Sequence, residues 1–334
     1  MSIVASRTAE PTGPKPIRRL SSRNIILYGT LIFAAIYYLI PLYVMVVTSV
    51  KGLPEVRLGF ILQKEKQAFY QRFARCAEAA VAQAEGIRGR LLMEFAPSQS
   101  PTDVSALMEK MAGRVDALAI TAVNHARISE GVAQLAEAGT PVFSLLSDFA
   151  QGLRRSYVGS NNLKVGRTAA WMLSTAAPRP GKIALFVGGH RWHGHELRET
   201  GFRSFFREHD PDRPLLDTLV NLETRQLTYE ATLDLLHRHP DVAGLYLAGG
   251  GMEGAIQALR EVRAPGEVAL VVNELTPESR AALADRYATM VLETPLDALC
   301  RELVALMAQS ALSSAPAVPG QLFIDSVIHL PESL

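Results

Sequence analysis

Three histidines fall within six positions, His190, His193 and His195, in HRWHGHELR directly after a short apolar run. Closely spaced imidazoles suit zinc. These spacings are not the i, i+4 of one helical face, and no carboxylate pattern completes a ligand set. The stretch therefore reads as a loop facing a cleft, not as a metal site. LYLAGGGMEG is a second candidate, because glycines between a strand and a helix can cradle phosphate. It lacks the G-x-G-x-x-G frame and the P-loop lysine, so its glycines read as room for close approach of a ligand. Cys76 and Cys300 lie far apart and outside any C-x-x-C pattern, which excludes a disulfide scaffold and a cysteine zinc site. They read as buried and reduced. No nucleophile elbow, kinase signature or H-E-x-x-H occurs, and no catalytic constellation can be assembled. The expectation is binding without an enzymatic step, without a cofactor and without a metal.

The elements that must position such residues begin with a charge asymmetry. The 334 residues hold 34 Lys plus Arg against 33 Asp plus Glu, a net charge of +1. Residues 1–24 carry Arg7, Lys15, Arg18, Arg19 and Arg23 against Glu10, or +4, which leaves −3 on the remainder. A mildly acidic body has no excess of cations for nucleic-acid phosphates, so no direct nucleic-acid partner is expected. From Ile25 to Val50 no charged residue occurs in 26 positions, enough to span a bilayer as a helix. The run is too long for the apolar region of a signal peptide and ends Val-Thr-Ser-Val-Lys, unlike a cleavage site. Four cations precede it and only Lys51 and Arg57 follow closely. The positive-inside rule places the tail in the cytoplasm and the body on the periplasmic side of the inner membrane.

The stretch SSRNIILYGTLIFAAIYYLIPLYVMVVTSVKGLPEVRLG resembles the first transmembrane segment of a carbohydrate ABC-transporter permease. The likeness covers about residues 20–58, and the remaining permease helices have no counterpart in the chain.

After Pro54, short apolar runs alternate with amphipathic stretches. VRLGFIL over 56–62, GRLLMEFA, DALAITAV, PVFSLL, KIALFVG, GLYLAGG and EVALVVN read as buried strands. Residues 65–85, VSALMEKMAG, RISEGVAQLAEAG and EGAIQALREV read as helices, with stops at Gly113, Gly139 and Gly266. Continuous apolar strands separated by helices predict parallel sheets covered on both faces. The fold class is α/β, doubly wound, in two lobes, with ligands expected at the carboxyl ends of the strands. The expected organisation is a basic tail over 1–24, a transmembrane helix over 25–50 and a linker over 51–55. A first lobe over 56–157, a second over 158–291, and return segments over 292–334 that complete both lobes would follow.

The body resembles the sugar-binding core of the lactose/galactose-repressor family, itself similar to ribose-type periplasmic binding proteins. The likeness is carried in order by LGFILQKEKQAFYQRFARCAEAA, TPVFSLLSDF, YVGSNNLKVGRTAAWML, GKIALFVGG, LRETGFRSFF, VAGLYLAGGGMEGAIQAL, VALVVNELTPESRAAL, TMVLETP and FIDSVIHLPESL. It covers about residues 56–334, and the family's helix-turn-helix domain is absent. The resemblance implies a two-lobed periplasmic-binding-protein-like fold of type I and a small-molecule sugar ligand. It implies ligand contacts from Phe69 and Tyr70 after the first strand, Asp148 after SLLS, and Arg198 in LRETGF. It adds Asn273 and Glu274 after VALVV, and Glu293 in LETP. A sugar's hydroxyl pairs and flat faces call for such carboxylates, amides, an arginine fork and aromatic rings. Asn161-Asn162 reads as a cap on the following helix. Asn161 stands where the family has Asp, and Glu293-Thr294 where it often has Gln-Asp, so the identity of the sugar is left open. Related repressor cores pair side by side, which leaves a homodimer open by analogy.

Three readings follow. One is a membrane-anchored, non-catalytic receptor for a sugar or small polyol, serving carbohydrate sensing or uptake with ABC-transporter components as candidate partners. Another is a cytoplasmic, regulator-derived effector domain that has lost its DNA-binding part. The last is a fragment of a carbohydrate transporter permease.

Overall fold

The computed structural model describes residues 22–50, 52–177, 179–313 and 319–334. The chain divides into two compact units, Met1–Leu53 and Pro54–Leu334. In the first, α1 (Ser22–Val50) is one continuous helix that passes through Pro41. Its stretch Ile26–Val46, 21 residues with none buried, is long and apolar enough to cross a membrane. At about 1.5 Å per residue it matches a hydrocarbon core of about 30 Å. The basic tail ahead of Ser22 and Lys51 after the helix lie outside the described residues.

In the second unit, β1 (Glu55–Gln63), β2 (Arg88–Ala96), β3 (Ala117–Ile120), β4 (Val142–Leu145), β5 (Ser156–Gly159) and β11 (Gly320–Phe323) form one sheet, ordered β11-β5-β4-β3-β1-β2. All of its pairings are parallel. The second sheet is ordered β12-β10-β9-β8-β6-β7, from β6 (Lys182–Val187), β7 (Leu219–Val220), β8 (Val242–Leu247), β9 (Ala269–Asn273), β10 (Met290–Glu293) and β12 (Val327–His329). It is parallel except where β12 runs against β10.

Each sheet is covered on both faces, as the unbroken apolar strands require. Because side chains alternate along a strand, Leu58, Phe60 and Leu62 of β1 enter one layer and Ile61 the opposite one. The first layer is completed by α2 (Ala68–Ala82) and α10 (Leu296–Leu312), the other by α3 (Pro101–Met111) and α4 (Ala126–Glu137). Around the second sheet, α5 (Asn162–Ala176) and α6 (His193–His209) cover one face. The other face takes α7 (Arg225–Arg238), α8 (Met252–Val262) and α9 (Pro277–Ala284). Cys76 and Cys300 are both buried and unpaired, within the layer between α2 and α10.

The chain passes between the sheets after β5, after β10 and between β11 and β12. The first and last of these crossings are bonded to each other, Ser326 Oγ to Ser160 Oγ at 3.1 Å.

Two local differences from the sequence expectations bear on the site. Helix α2 begins at Ala68, not at residue 65, because Lys64 adopts a left-handed φ of +43° and Gln67 turns back onto the Lys64 carbonyl at 2.8 Å. HRWHGHELR is a loop only as far as its N-cap, Trp192; His193 and His195 already stand in the first turn of α6. Gly113 and Gly139 adopt positive φ directly after the C-caps of α3 and α4, the conformation that lets a chain turn away after a helix, whereas Gly266, also at positive φ, lies four residues past the end of α8 and does not stop it.

Asp148 is the buried charge of the first lobe. Arg154 grips it with Nε on Oδ1 and with Nη2 on Oδ2 at 2.6 Å. Ser144 Oγ (2.7 Å) and the Phe149 amide (3.0 Å) also donate to Oδ1, and Gln151 Nε2 (3.1 Å) to Oδ2. Burial disfavours its charge, but the guanidinium and these donors outweigh burial and hold the carboxyl below its usual range. Arg154 also donates to the Gly320 carbonyl at 2.7 Å, tying the returning β11 to the sheet. Arg154→Met strands a buried carboxylate and is expected to cost about 3–5 kcal/mol in a denaturant titration. Adding Asp148→Leu removes the orphaned charge and should recover most of that loss.

Candidate functional site

The parallel strands of both sheets deliver their carboxyl ends to one cavity of about 420 Å³. That volume falls within the roughly 300–1,000 Å³ of small-molecule sites. Three aromatic rings line it: Phe69 and Tyr70 at the start of α2, and Trp192 ahead of α6. Phe69 and Tyr70 meet edge to face, with centroids 5.1 Å apart. Tyr70 is buried, and burial together with the charges of Glu223 and Glu274 pushes its hydroxyl well above the ordinary range, so it stays a neutral O–H.

Arg198 enters from α6, and glycines set its position. A Cβ on Gly166 would overlap the Arg198 carbonyl, and one on Gly201 the Leu163 carbonyl, so α5 and α6 cross backbone to backbone. The guanidinium is then aimed by Nε donating to Asn162 Oδ1 (2.7 Å) and Nη1 to the Ala248 carbonyl (2.5 Å). Asn162 is itself fixed through its amide nitrogen on the Tyr157 hydroxyl (3.0 Å) and the Leu146 carbonyl (3.2 Å). Only Asn161 acts as the helix cap, accepting from the Lys164 amide at 3.1 Å.

Asn273 and Glu274 stand at the end of β9. The Asn273 amide nitrogen donates to the Leu247 carbonyl (2.8 Å) and to the Tyr246 hydroxyl (3.2 Å). Glu274 has a left-handed φ of +71°, a conformation that costs a non-glycine residue about 1–3 kcal/mol and collects at ligand sites. Its carboxylate accepts from Thr294 Oγ1 (2.6 Å) and the Thr294 amide (3.1 Å). Burial outweighs those bonds and raises its pKa to about 7.

Glu223, which follows β7, is the other enclosed acid. Burial opposes its charge, yet His195, Lys64 and the Gly250 amide hold it ionised, below the usual carboxylate range. His195 Nδ1 accepts from the Gly188 amide at 3.1 Å, which leaves Nε2 to carry the proton, 3.5 Å from Glu223 Oε1. Burial pushes its pKa down and keeps the ring neutral. The glycine run makes room for this pair: a Cβ on Gly249 would stand 2.7 Å from His195 Cε1 and 3.0 Å from Glu223 Oε1. Gly249, Gly250 and Gly251 themselves line the cavity, as do both of these side chains.

Three helices begin at cavity-lining residues, Gln67, Trp192 and Gly251, whose own side chains make no cap bond, and at the start of α6 the Gly194 amide is taken instead by Ser147 Oγ at 3.1 Å. Thr121 Oγ1, buried in the wall, has no hydrogen-bond partner.

Of the residues expected at a ligand, Phe69, Tyr70, Arg198, Asn273 and Glu274 line this cavity. Asp148 and Glu293 do not. Asp148 is turned into the lobe by Arg154. Glu293 is paired with Arg72 of α2 and with His329 Nε2 at 2.6 Å, in the region where the chain crosses between sheets. Lys66, Thr121, Trp192, His195 and Glu223 also line the cavity. Trp192 and His195 lay in the histidine-rich stretch already read as facing a cleft. Glu223 carried no signal, since NLETRQ reads as an ordinary acidic helix start.

A sequence profile of the periplasmic binding protein domain matches residues 58–311. The ribose import binding protein of Bacillus subtilis is 25% identical over 197 residues, which cover 57% of this chain and 60% of that protein's length. A solute-binding protein from Actinobacillus succinogenes, solved with D-allose, superposes with a TM-score of 0.74 at 19% identity, over 83% of this chain and 98% of its own. One from Burkholderia graminis, solved with D-arabinose, gives 0.77 at 17% identity, over 85% and 98%. At such identities these two structures speak for the fold. Two parallel sheets meeting at one cavity and a profile that spans most of the body lead to the same conclusion: the chain belongs to the periplasmic binding protein domain family.

Proposed function

We propose that the body closes its two lobes on a monosaccharide or small polyol and performs no chemistry on it. The observation that carries this reading is the cavity wall. Phe69, Tyr70 and Trp192 offer flat apolar faces, while Arg198, Asn273 and Glu274 converge from the second lobe as donors and acceptors. Rings of this kind stack on the apolar face of a pyranose or inositol, and polar groups that converge on hydroxyls fix its orientation. The sugars bound by the structural relatives support the same ligand class. The crossings between the sheets supply hinges, as two-lobed closure needs.

The proposal extends to placement. Helix α1 anchors the body in the inner membrane with the lobes on the periplasmic side, where they take part in carbohydrate uptake or sensing. An alkaline phosphatase fused after Leu334 is expected to be active in whole cells; a silent but full-length fusion would place the body in the cytoplasm.

Calorimetry of the detergent-solubilised chain against aldopentoses, aldohexoses and inositols is expected to find a micromolar ligand, about −8 kcal/mol. Heats at the buffer baseline for all of them would overturn the ligand class. Arg198→Met should weaken that ligand about tenfold to a hundredfold, as expected for losing charge-assisted hydrogen bonds worth about 1.5–3 kcal/mol.

Binding should also depend on pH through Glu274. An unfolded glutamate titrates near 4.3, roughly, whereas the enclosed Glu274 takes up its proton at about 7. The protonated form therefore stabilises the fold at low pH, and that contribution is lost as pH rises through 7. Ligand hydroxyls donate better to the ionised form, so affinity should rise between pH 6 and pH 8, and Glu274→Gln should flatten the profile.

A further inference from the structure

The rims of the two lobes are bonded to each other by groups of the chain itself, and three of those bonds converge on Glu223. From the first lobe, Lys64 Nζ donates to Glu223 Oε2 at 3.0 Å and to the Glu223 carbonyl at 3.3 Å. Gln99 Nε2 donates to the same Oε2 at 3.1 Å, and Gln99 Oε1 accepts from Trp192 Nε1 at 3.3 Å. From the second lobe, the Gly250 amide donates to Oε1 at 3.3 Å. One carboxylate oxygen is thus held from one lobe and the other oxygen from the other lobe. Along the rim, the Asn124 amide reaches the Arg191 carbonyl at 3.0 Å, and the Gly194 amide reaches Ser147 Oγ at 3.1 Å.

Two further observations show that this junction is built. Lys64, Leu222 and Glu223 have φ of +43°, +51° and +54°, and none of them is glycine. Such backbone persists where surrounding bonds over-determine it. The second-lobe wall is also hollowed to seat the carboxylate, since a Cβ on Gly188 would run into the Glu223 side chain and one on Gly250 would stand 3.1 Å from Glu223 Cβ.

We infer that Lys64, Gln99 and Glu223 form a latch that sets the balance between open and closed lobes, whatever ligand the cavity takes. A largely buried ion pair is net favourable only when its remaining lone pairs are satisfied. Gln99 and the Gly250 amide meet that condition when the lobes are together, and opening separates all of the first-lobe donors from the carboxylate at once. Because Glu223 also lines the cavity, closing the latch and completing the cavity wall are one event. This goes beyond the sugar-binding reading and stands if that reading fails.

The test is a distance measurement by double electron–electron resonance on the full chain in detergent, with no sugar added. Spin labels go on Glu137→Cys of α4 and His237→Cys of α7, both exposed. Cys76, raised by burial to about 11, and the more deeply buried Cys300 react poorly by comparison. The wild-type latch is expected to give a predominant short distance. Lys64→Met and Glu223→Gln should each raise the long-distance population about tenfold, the equivalent of about 1.4 kcal/mol. Lys64→Arg should keep the short distance, and Gln99→Leu should fall between. Distributions for Lys64→Met and Glu223→Gln that superpose on wild type, with unchanged circular dichroism, would overturn the latch. If either charge variant failed to fold, Gln99→Leu decides: a wild-type distribution overturns the inference and a longer one supports it.

Discussion

Parallel strands impose the constraint on which the rest of this body depends. Every strand of a parallel sheet ends on the same edge, so whatever follows it must turn there into a loop and then a helix. Two such sheets placed edge to edge bring Gln63, Ile120, Leu145, Val187, Val220, Leu247 and Asn273, the last residues of seven strands, toward one cavity. The chemistry-bearing residues lie one to several positions beyond those ends. Their side chains are aimed by turns with left-handed backbone, at Lys64, Leu146, Glu223 and Glu274, and by uncapped helix starts. Left-handed turns at non-glycine residues thus gather around the cavity, where a ligand has most to gain from them.

Three carboxylates show how placement decides role. Asp148 faces a guanidinium inside the lobe and holds the returning strand. Glu223 faces Lys64 from across the cleft and stays ionised. Glu274 makes its hydrogen bonds with Thr294, and burial keeps it near neutrality. The same functional group supplies structure, a contact between lobes and a cavity acceptor, according to the donors around it.

The architecture was legible because continuous apolar strands and amphipathic helices alternate, and because Gly113 and Gly139 mark helix ends. Five of the seven expected ligand residues also reach the cavity, Asn273 and Glu274 at the end of β9 and Phe69, Tyr70 and Arg198 from the helices that follow β1 and β6. The other two were lost to partners the local pattern does not announce. Arg154 lies only six positions from Asp148, but nothing local distinguishes it from a surface cation. Arg72 and His329 approach Glu293 from 221 and 36 positions away, a pairing that only the crossing of the sheets creates. Glu223 stayed hidden for a related reason: its partners Lys64 and Gln99 lie on the other lobe, 159 and 124 positions distant.

The central claim is that this cavity closes around a small polyhydroxylated ligand, and Trp192 reports on it directly. Its ring lines the cavity and is buried, whereas Trp171, the other tryptophan, is exposed on α5. In a Trp171→Phe chain, titration with pentoses, hexoses and inositols should give a saturable shift of Trp192 emission for at least one of them. Emission unchanged across the whole panel, in a folded protein, would contradict the account.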